Sequence, residues 1–313
     1  MSFQDVQFIW KNGELLPWAS ATVHVSAHAL HYGSGVFEGI RCYETDFGPA
    51  VFRLDEHLDR LFKSAAVYGL RISYKANELK DAILELIDAN GFRACYIRPI
   101  CYFGSATLGV NPRNCPVEVA ILAWPWAAYL GADGLENGIR VTVSPWRKFH
   151  STMMPTTAKA CGQYLNSILA VTEAADRGFD EGLLLDIDGR LAEGSGENLF
   201  VVKHKVITTN KATDSILMGI TRDTVIEIAN ELGYTVETKP LELDDLFGAD
   251  EAFFTGTAAE ITPIREVDDK TIGSGARGKI TAKLQSTFFD AVAGRDARFR
   301  KWLQPVGELA AAG

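Results

Sequence analysis

Two periods of apolar residues run through the chain and predict its elements. Helical spacing appears at Leu58, Leu61, Phe62 and Ala65, and again at Leu79, Ile83, Leu86 and Ile87; each set marks a helix with one buried face. The first helix is expected over about 55–68, after a short strand "AVFRL", with Asp55 as its N-cap. The second is expected over about 77–89, ending at Asn90-Gly91. Period two governs "ACYIRPICYF", with Tyr96, Arg98, Ile100 and Tyr102 on one face and Cys95, Ile97, Cys101 and Phe103 on the other. Pro99 has no amide hydrogen to give a ladder, so the pattern predicts an edge strand or a bulge there. "FIWKNGELL" reads as a hairpin, because Asn12-Gly13 suits a two-residue type I′ turn.

"VEVAILAW" continues as a strand, and "PWAAYLGADGLENG" is rich in glycine and turn residues, as a linker would be. Beyond it, strands and helices alternate more regularly. Strands are expected in "IRVTVSPW", "GLLLDIDGRLAEGSGENLFVV" (three pieces around an Asp-Gly turn), "VITTN" and "EAFFT". Helices are expected over about 162–177, 221–232 and 278–293. The fold class is therefore α/β (of the α+β type), with a smaller domain over 1–125, a linker at 126–138 and a larger domain over 139–313.

Composition narrows the partners. A net charge of −9 and a pI of about 5.2 argue against nucleic acid or an anionic membrane surface. "MSFQDVQFIW" has no basic stretch leading into an apolar one, and "VEVAILAWPWAAYLGA" is broken by Glu118 and Pro125 and is too short to span a bilayer. The five cysteines form no C-x-x-C pair, which suits reduced thiols in a cytoplasmic protein. The six histidines show no metal-ligand spacing; His24, His28 and His31 fall at odd intervals in a loop-like stretch.

What chemistry remains lies in a few places. "LAEGSGENLF" sets Glu193 and Glu197 against a core strand, and a buried carboxylate needs a partner. Gly219, Ile220 and Thr221 open a helix whose free N–H groups could hold a phosphate, although Thr224 and Glu227 also fit a plain capping box. Gly256, Thr257 and Ala258 follow a buried strand and could form a second N–H nest. Lys159, among the small residues of "MPTTAKACGQY", suits a Schiff-base former or an ordinary surface lysine. Arg60 reads as a solvated charge on its helix, whereas Arg98, between Tyr96 and Tyr102 on one strand face, could grip a carboxylate. "GSGARG" at 273–278 matches G-x-G-x-x-G, but neither a buried strand before it nor a second parallel strand after it is expected, so a turn into a helix explains it.

The stretch from Glu193 through "EGSGENLF" and Thr209 to "LMGITR" resembles the long pattern of class IV aminotransferases, which are pyridoxal-phosphate enzymes of fold type IV. "HYGSGVFEGIRCY", "FRLDEHLDRLFKSA", "YIRP", "PTTAKACGQYLNSILA" and "FTGTAAEITP" resemble the branched-chain amino acid aminotransferases in particular, so the similarity runs from about residue 8 to about 290. The resemblance implies a two-domain fold with pyridoxal 5'-phosphate at the domain interface. Lys159 would be the catalytic Schiff-base lysine, Glu193 would pair with the pyridine nitrogen, and Tyr164 would reach the phenolic oxygen. Arg60, Ile220, Thr221 and Thr257 would hold the phosphate, and Glu197 would support the site. Phe37, Tyr96, Trp126, Tyr129 and Ala258, with Thr257, would wall an apolar pocket, and Arg98 would take the distal carboxylate of glutamate. Tyr32 and Val110 would come from a partner subunit, implying a homodimer, or a hexamer built as a trimer of dimers. The activity implied is transfer of the amino group of leucine, isoleucine or valine to 2-oxoglutarate in the cytoplasm. The same fold also hosts D-amino acid and (R)-amine transaminases and aminodeoxychorismate lyase, and "FEGIR" and "YIRP" favour the branched-chain reading over these. Two departures stand out: Gln163 where asparagine is the commoner choice, and the Met-rich "STMMPT" beside the lysine.

Overall fold

The computed structural model describes residue 3 and residues 5–126 and 131–307. The chain folds as two compact units. The first takes its described residues from Met1–Ala127, Ala158–Gln163 and Asp290–Gly313; the second comprises Ala128–Thr157 and Tyr164–Phe289. No described helix is long and apolar enough to cross a membrane.

The first unit is a mostly antiparallel sheet with two helices packed on it. Its strands are β1 (Phe8–Lys11), β2 (Glu14–Pro17), β3 (Gly35–Phe37), β4 (Ile40–Thr45), β5 (Gly48–Phe52), β6 (Cys95–Phe103) and β7 (Val117–Trp124). Asn12 and Gly13 both hold positive φ (50° and 98°), the type I′ geometry that lets β1 and β2 pair in tight register. The C-terminal strand Leu303–Pro305 adds to β5 at the far edge. The first helix, α1 (His28–Tyr32), lies in the stretch expected to be a loop. The two longer helices, α2 (Leu54–Val67) and α3 (Ala76–Ala89), supply the apolar layer, with Leu58, Leu61, Leu79, Ile83 and Leu86 buried against Ile97, Cys101 and Ile121.

Three local expectations are corrected here. Arg53, in the left-handed region, is the N-cap of α2, and Asp55 lies within the first turn. Pro99 does not mark an edge or a bulge, because β6 sits in the sheet interior and pairs in unbroken register with β7. The Pro99 carbonyl accepts from Glu38 N at 2.9 Å, so the missing amide hydrogen points to the same side. There the neighbouring backbone changes from β3 to β4 at Glu38-Gly39, and no ladder bond is lost. The expected linker holds a helix, α4 (Gly131–Asn137), and its residues 127–130 lie outside those described.

In the second unit the strands are β8 (Ile139–Arg147), β9 (Glu181–Leu185), β10 (Leu191–Gly194), β11 (Asn198–Lys203), β12 (Val206–Thr209), β13 (Thr235–Thr238), β14 (Glu251–Gly256), β15 (Glu260–Val267) and the short β16 (Lys270–Thr271). Six of them close on themselves in the order β10-β9-β8-β15-β14-β11, because β10 also pairs β11 through Glu193 and Asn198. Leu183, Leu199, Val201, Phe254 and Ile264 fill the apolar core of this unit. The helices are α5 (Tyr164–Asp176), α6 (Ile220–Glu231), α7 (Leu243–Phe247) and α8 (Lys279–Val292). Two helix starts settle sequence questions. Gly219 is the N-cap of α6, and Thr224 donates back to Ile220 O at 2.9 Å, so the Thr224/Glu227 capping box does not form. "GSGARG" is a turn into α8 whose first amides are taken by Glu251: Ile280 N and Thr281 N donate to its two oxygens at 3.0 and 2.7 Å. A carboxylate already occupies the place a pyrophosphate would need.

Candidate active site

In the first unit the site is built by the polar members of one helix stripe. The buried face of α2 is apolar at Leu54, Leu58, Leu61 and Ala65, but His57 and Ser64 lie on it and Arg60 lies at its border. His57 and Arg60 reach Glu38, at the junction of β3 and β4, and Ser64 reaches the backbone of Lys159. Glu38 is fully buried and accepts from Arg60 Nε at 2.7 Å and Nη2 at 2.8 Å, a bidentate pair, and from His57 Nδ1 at 2.7 Å. Burial pushes its carboxyl up, but Arg60 and His57 outweigh that and leave it well below the usual carboxylate range. Burial also pushes the His57 imidazole down, toward its neutral form, against the pull of Glu38.

Ser64 Oγ accepts from Lys159 N at 3.0 Å, and Lys159 O accepts from Phe37 N at 3.0 Å, so the lysine is tied by its backbone to α2 and to β3. Its Nζ stands 5.1 Å from the centre of the Phe37 ring. Lys159 keeps part of its surface in solvent, yet its amine is desolvated and faces Arg60, and these together lower it to about 8. The neighbouring thiol moves the other way: burial pushes Cys161 up to about 11 in spite of Arg98. Near neutral pH the available nucleophile is therefore the amine. Gln163 is buried and donates to the Tyr68 hydroxyl at 2.7 Å.

Beside the lysine lies an aromatic cage. The Arg98 guanidinium stands 4.7 Å from the Phe37 ring centre, 5.3 Å from Tyr96 and 5.8 Å from Trp124, and its Nε is buried without a hydrogen-bond partner. Trp126 packs edge-on against Tyr96 at 4.6 Å. A caged guanidinium with an unsatisfied donor is a receptor for an anion, within walls that suit an apolar group. Tyr129 falls outside the described residues. Tyr32 and Val110 are exposed; the Tyr32 hydroxyl donates to Leu108 O at 2.7 Å, which holds both near one surface.

The second unit carries a separate group around Glu193, which is 6 % exposed on β10. Its Oε1 is 2.6 Å from Lys148 Nζ. Its Oε2 accepts from Leu217 N at 3.0 Å and Asn198 Nδ2 at 3.1 Å. Asn198 also donates to Leu217 O at 2.8 Å and so ties Glu193 to the segment that opens α6. A side chain at position 219 would collide with Asn198 Oδ1, which explains the glycine there. Ile220 and Thr221 are buried in the first turn of α6. Glu197 is buried, and its Oε2 accepts from Gly196 N at 3.0 Å. Thr257 and Ala258 are half-buried in the turn after β14, next to Thr255, which pairs with Asn198 and whose own hydroxyl is buried without a partner. Tyr164 heads α5, half-buried.

The structure thus brings together Phe37, Arg60, Tyr96, Arg98, Trp126 and Lys159 in one unit, and Glu193, Ile220 and Thr221 in the other. Glu38, His57 and Lys148 were not foreseen. Glu38 and His57 lie inside the stretches "VFEGIR" and "LDEHLDR", but a charge in a motif does not reveal its partner. Lys148 had no signal at all.

Comparison with known proteins identifies the family. The profile of the amino-transferase class IV family matches residues 35–267. A branched-chain-amino-acid aminotransferase of Pseudomonas aeruginosa is 46% identical over 294 residues, covering 94% of this chain and 95% of that protein. The crystal structure of the Escherichia coli branched-chain amino acid aminotransferase superposes with a TM-score of 0.95 at 46% identity, covering 96% of this chain and 100% of that one. A T.th. branched-chain amino acid aminotransferase with pyridoxamine 5'-phosphate gives 0.94 at 47% identity, covering 96% and 99%; another structure of that enzyme holds N-(5'-phosphopyridoxyl)-L-glutamate. Matched over nearly its whole length by fold and by sequence, this chain belongs to the class IV aminotransferases, among the branched-chain-amino-acid aminotransferases.

Proposed function

We infer that the protein is a pyridoxal-phosphate transaminase that moves the amino group of leucine, isoleucine or valine to 2-oxoglutarate. The observation that carries this reading is that Lys159 and Arg98 share the Phe37 ring: an amine lowered to about 8 lies near a caged guanidinium with an unsatisfied buried donor. The residues fit the cofactor, because capture of an aldehyde requires a neutral amine near physiological pH. When bound, pyridoxal phosphate supplies an electron sink for the carbanion at the substrate Cα.

In this reading Lys159 holds the cofactor and carries the proton to and from the substrate Cα. Glu193 faces the ring nitrogen and Tyr164 the phenolic oxygen. Arg60, Ile220, Thr221 and Thr257 take the phosphate, with Glu38 holding the Arg60 guanidinium in one orientation. Phe37, Tyr96, Trp126, Tyr129, Thr257 and Ala258 enclose the branched side chain, and Arg98 at the same wall takes the distal carboxylate of glutamate. One pocket can serve both because the charge sits at one edge of an otherwise apolar enclosure. Tyr32 and Val110 complete the pocket of a partner subunit; Val110 is 77 % exposed, and Leu30, Tyr32 and Leu108 are exposed with it, an apolar surface that a homodimer would cover.

The test uses purified protein. It absorbs in the yellow region when loaded, borohydride fixes the cofactor to it, and Lys159→Ala loses both the fixed cofactor and turnover. Near wild-type turnover by that variant would remove the central assignment. A donor panel of L-leucine, D-alanine and (R)-1-phenylethylamine separates the branched-chain reading from its relatives of opposite stereochemistry.

A further inference from the structure

Lys148 has no part in the roles assigned to the other residues, yet it is the cation closest to the second unit's chemistry. It follows β8, its N donates to Leu185 O at 2.8 Å, and it is 8 % exposed. An ammonium buried to that degree requires compensation. Among the described residues its one ion-pair partner is Glu193, at 2.6 Å, and its Nζ also stands 4.5 Å from the centre of the Phe149 ring.

We propose that Lys148 is a positioning residue that keeps Glu193 a charged carboxylate of fixed orientation, and so keeps the shared proton on the cofactor's ring nitrogen. This rests on the reading of Glu193 as the ring-nitrogen partner. A ring nitrogen and a carboxylate share one proton, which can sit as pyridinium with carboxylate or as pyridine with carboxylic acid. The Lys148 ammonium touches Oε1, so it acts on the carboxylate more strongly than on any group beyond it. It therefore favours the first arrangement. Asn198 Nδ2 and Leu217 N add two donors on Oε2, and a carboxylic acid there would place its own hydrogen against them. Three donors on one buried carboxylate leave its rotamer no freedom, so the same contacts orient it.

The experiment compares holoenzymes loaded with pyridoxal phosphate labelled with 15N in the ring. Wild type is expected to show a protonated ring nitrogen. Lys148→Gln, which keeps a hydrogen-bond donor but removes the charge, is expected to move the resonance toward the neutral-pyridine position, and Lys148→Arg to restore it. In a Glu193→Gln background the Lys148→Gln change is expected to add nothing. A Glu193→Gln shift with no Lys148→Gln shift overturns the role of Lys148 alone; no shift from Glu193→Gln overturns the reading beneath it. Should Lys148→Gln not fold, wild type still decides, because a neutral ring nitrogen there refutes the proposal. A purely structural lysine would lower thermal stability without moving the ring resonance.

Discussion

Replacing Glu38 by glutamine tests whether the α2 stripe is held by charge. The carboxylate receives three short contacts, at 2.7, 2.8 and 2.7 Å, from Arg60 and His57, with no exposure of its own. Glutamine keeps the shape and one acceptor oxygen but removes the anion. It leaves the Arg60 guanidinium, with a side-chain exposure of 14%, facing a neutral amide. Removing one partner of a buried pair costs about 3–5 kcal/mol, because the other charge remains desolvated. At about 2–4 °C per kcal/mol for a unit of this size, Tm falls by roughly 6–20 °C. Scanning calorimetry of the cofactor-free protein at neutral pH measures it, and adding Arg60→Gln should recover part of the loss. The acid arm has a definite sign. The folded carboxyl lies below its ordinary range, so its stabilisation is present above that range and is lost as the pH falls through the depressed one. The gap between wild type and variant should stay flat over about pH 5–8 and close only in stronger acid. A Tm change under about 2 °C at neutral pH would refute the claim that this buried cluster holds the unit together.

Two further outcomes test the site. Arg98→Leu should raise the KM for 2-oxoglutarate by about 10- to 100-fold, since a charge-assisted contact to a carboxylate is lost, while the KM for leucine changes little; steady-state kinetics with each substrate varied separately reads the split. The rate at which the cofactor-free protein captures pyridoxal phosphate should rise with pH around a midpoint near 8, because only the unprotonated Lys159 amine attacks; a midpoint near that of an ordinary lysine would contradict the desolvated environment.

The elements legible in the chain were those whose signal is local. The stripes of α2 and α3, the Asn12-Gly13 turn and the period-two run of β6 all appear where spacing placed them. β15 was missed although Ile261, Ile264 and Val267 are buried, because Pro263 and the charged Arg265 and Glu266 break the pattern that marks a strand. α1 was missed because five residues are too few to show a period. Pro99 was misplaced because a proline reports a missing donor but not which neighbour would have received it.

By itself the amino-acid order determined the longer helices, the hairpin and the identity of the motif residues, because burial periodicity, turn preference and motif spacing are properties of order along the chain. Tertiary structure alone decided what each charge meets. Glu38 finds Arg60 and His57 across nineteen or more positions, and Glu193 finds Lys148 across forty-five. It also returned Leu303–Pro305 to the edge of the first sheet. Coulomb attraction and ladder pairing depend on distance in space, and a chain's order carries no record of that distance until the sheets have closed.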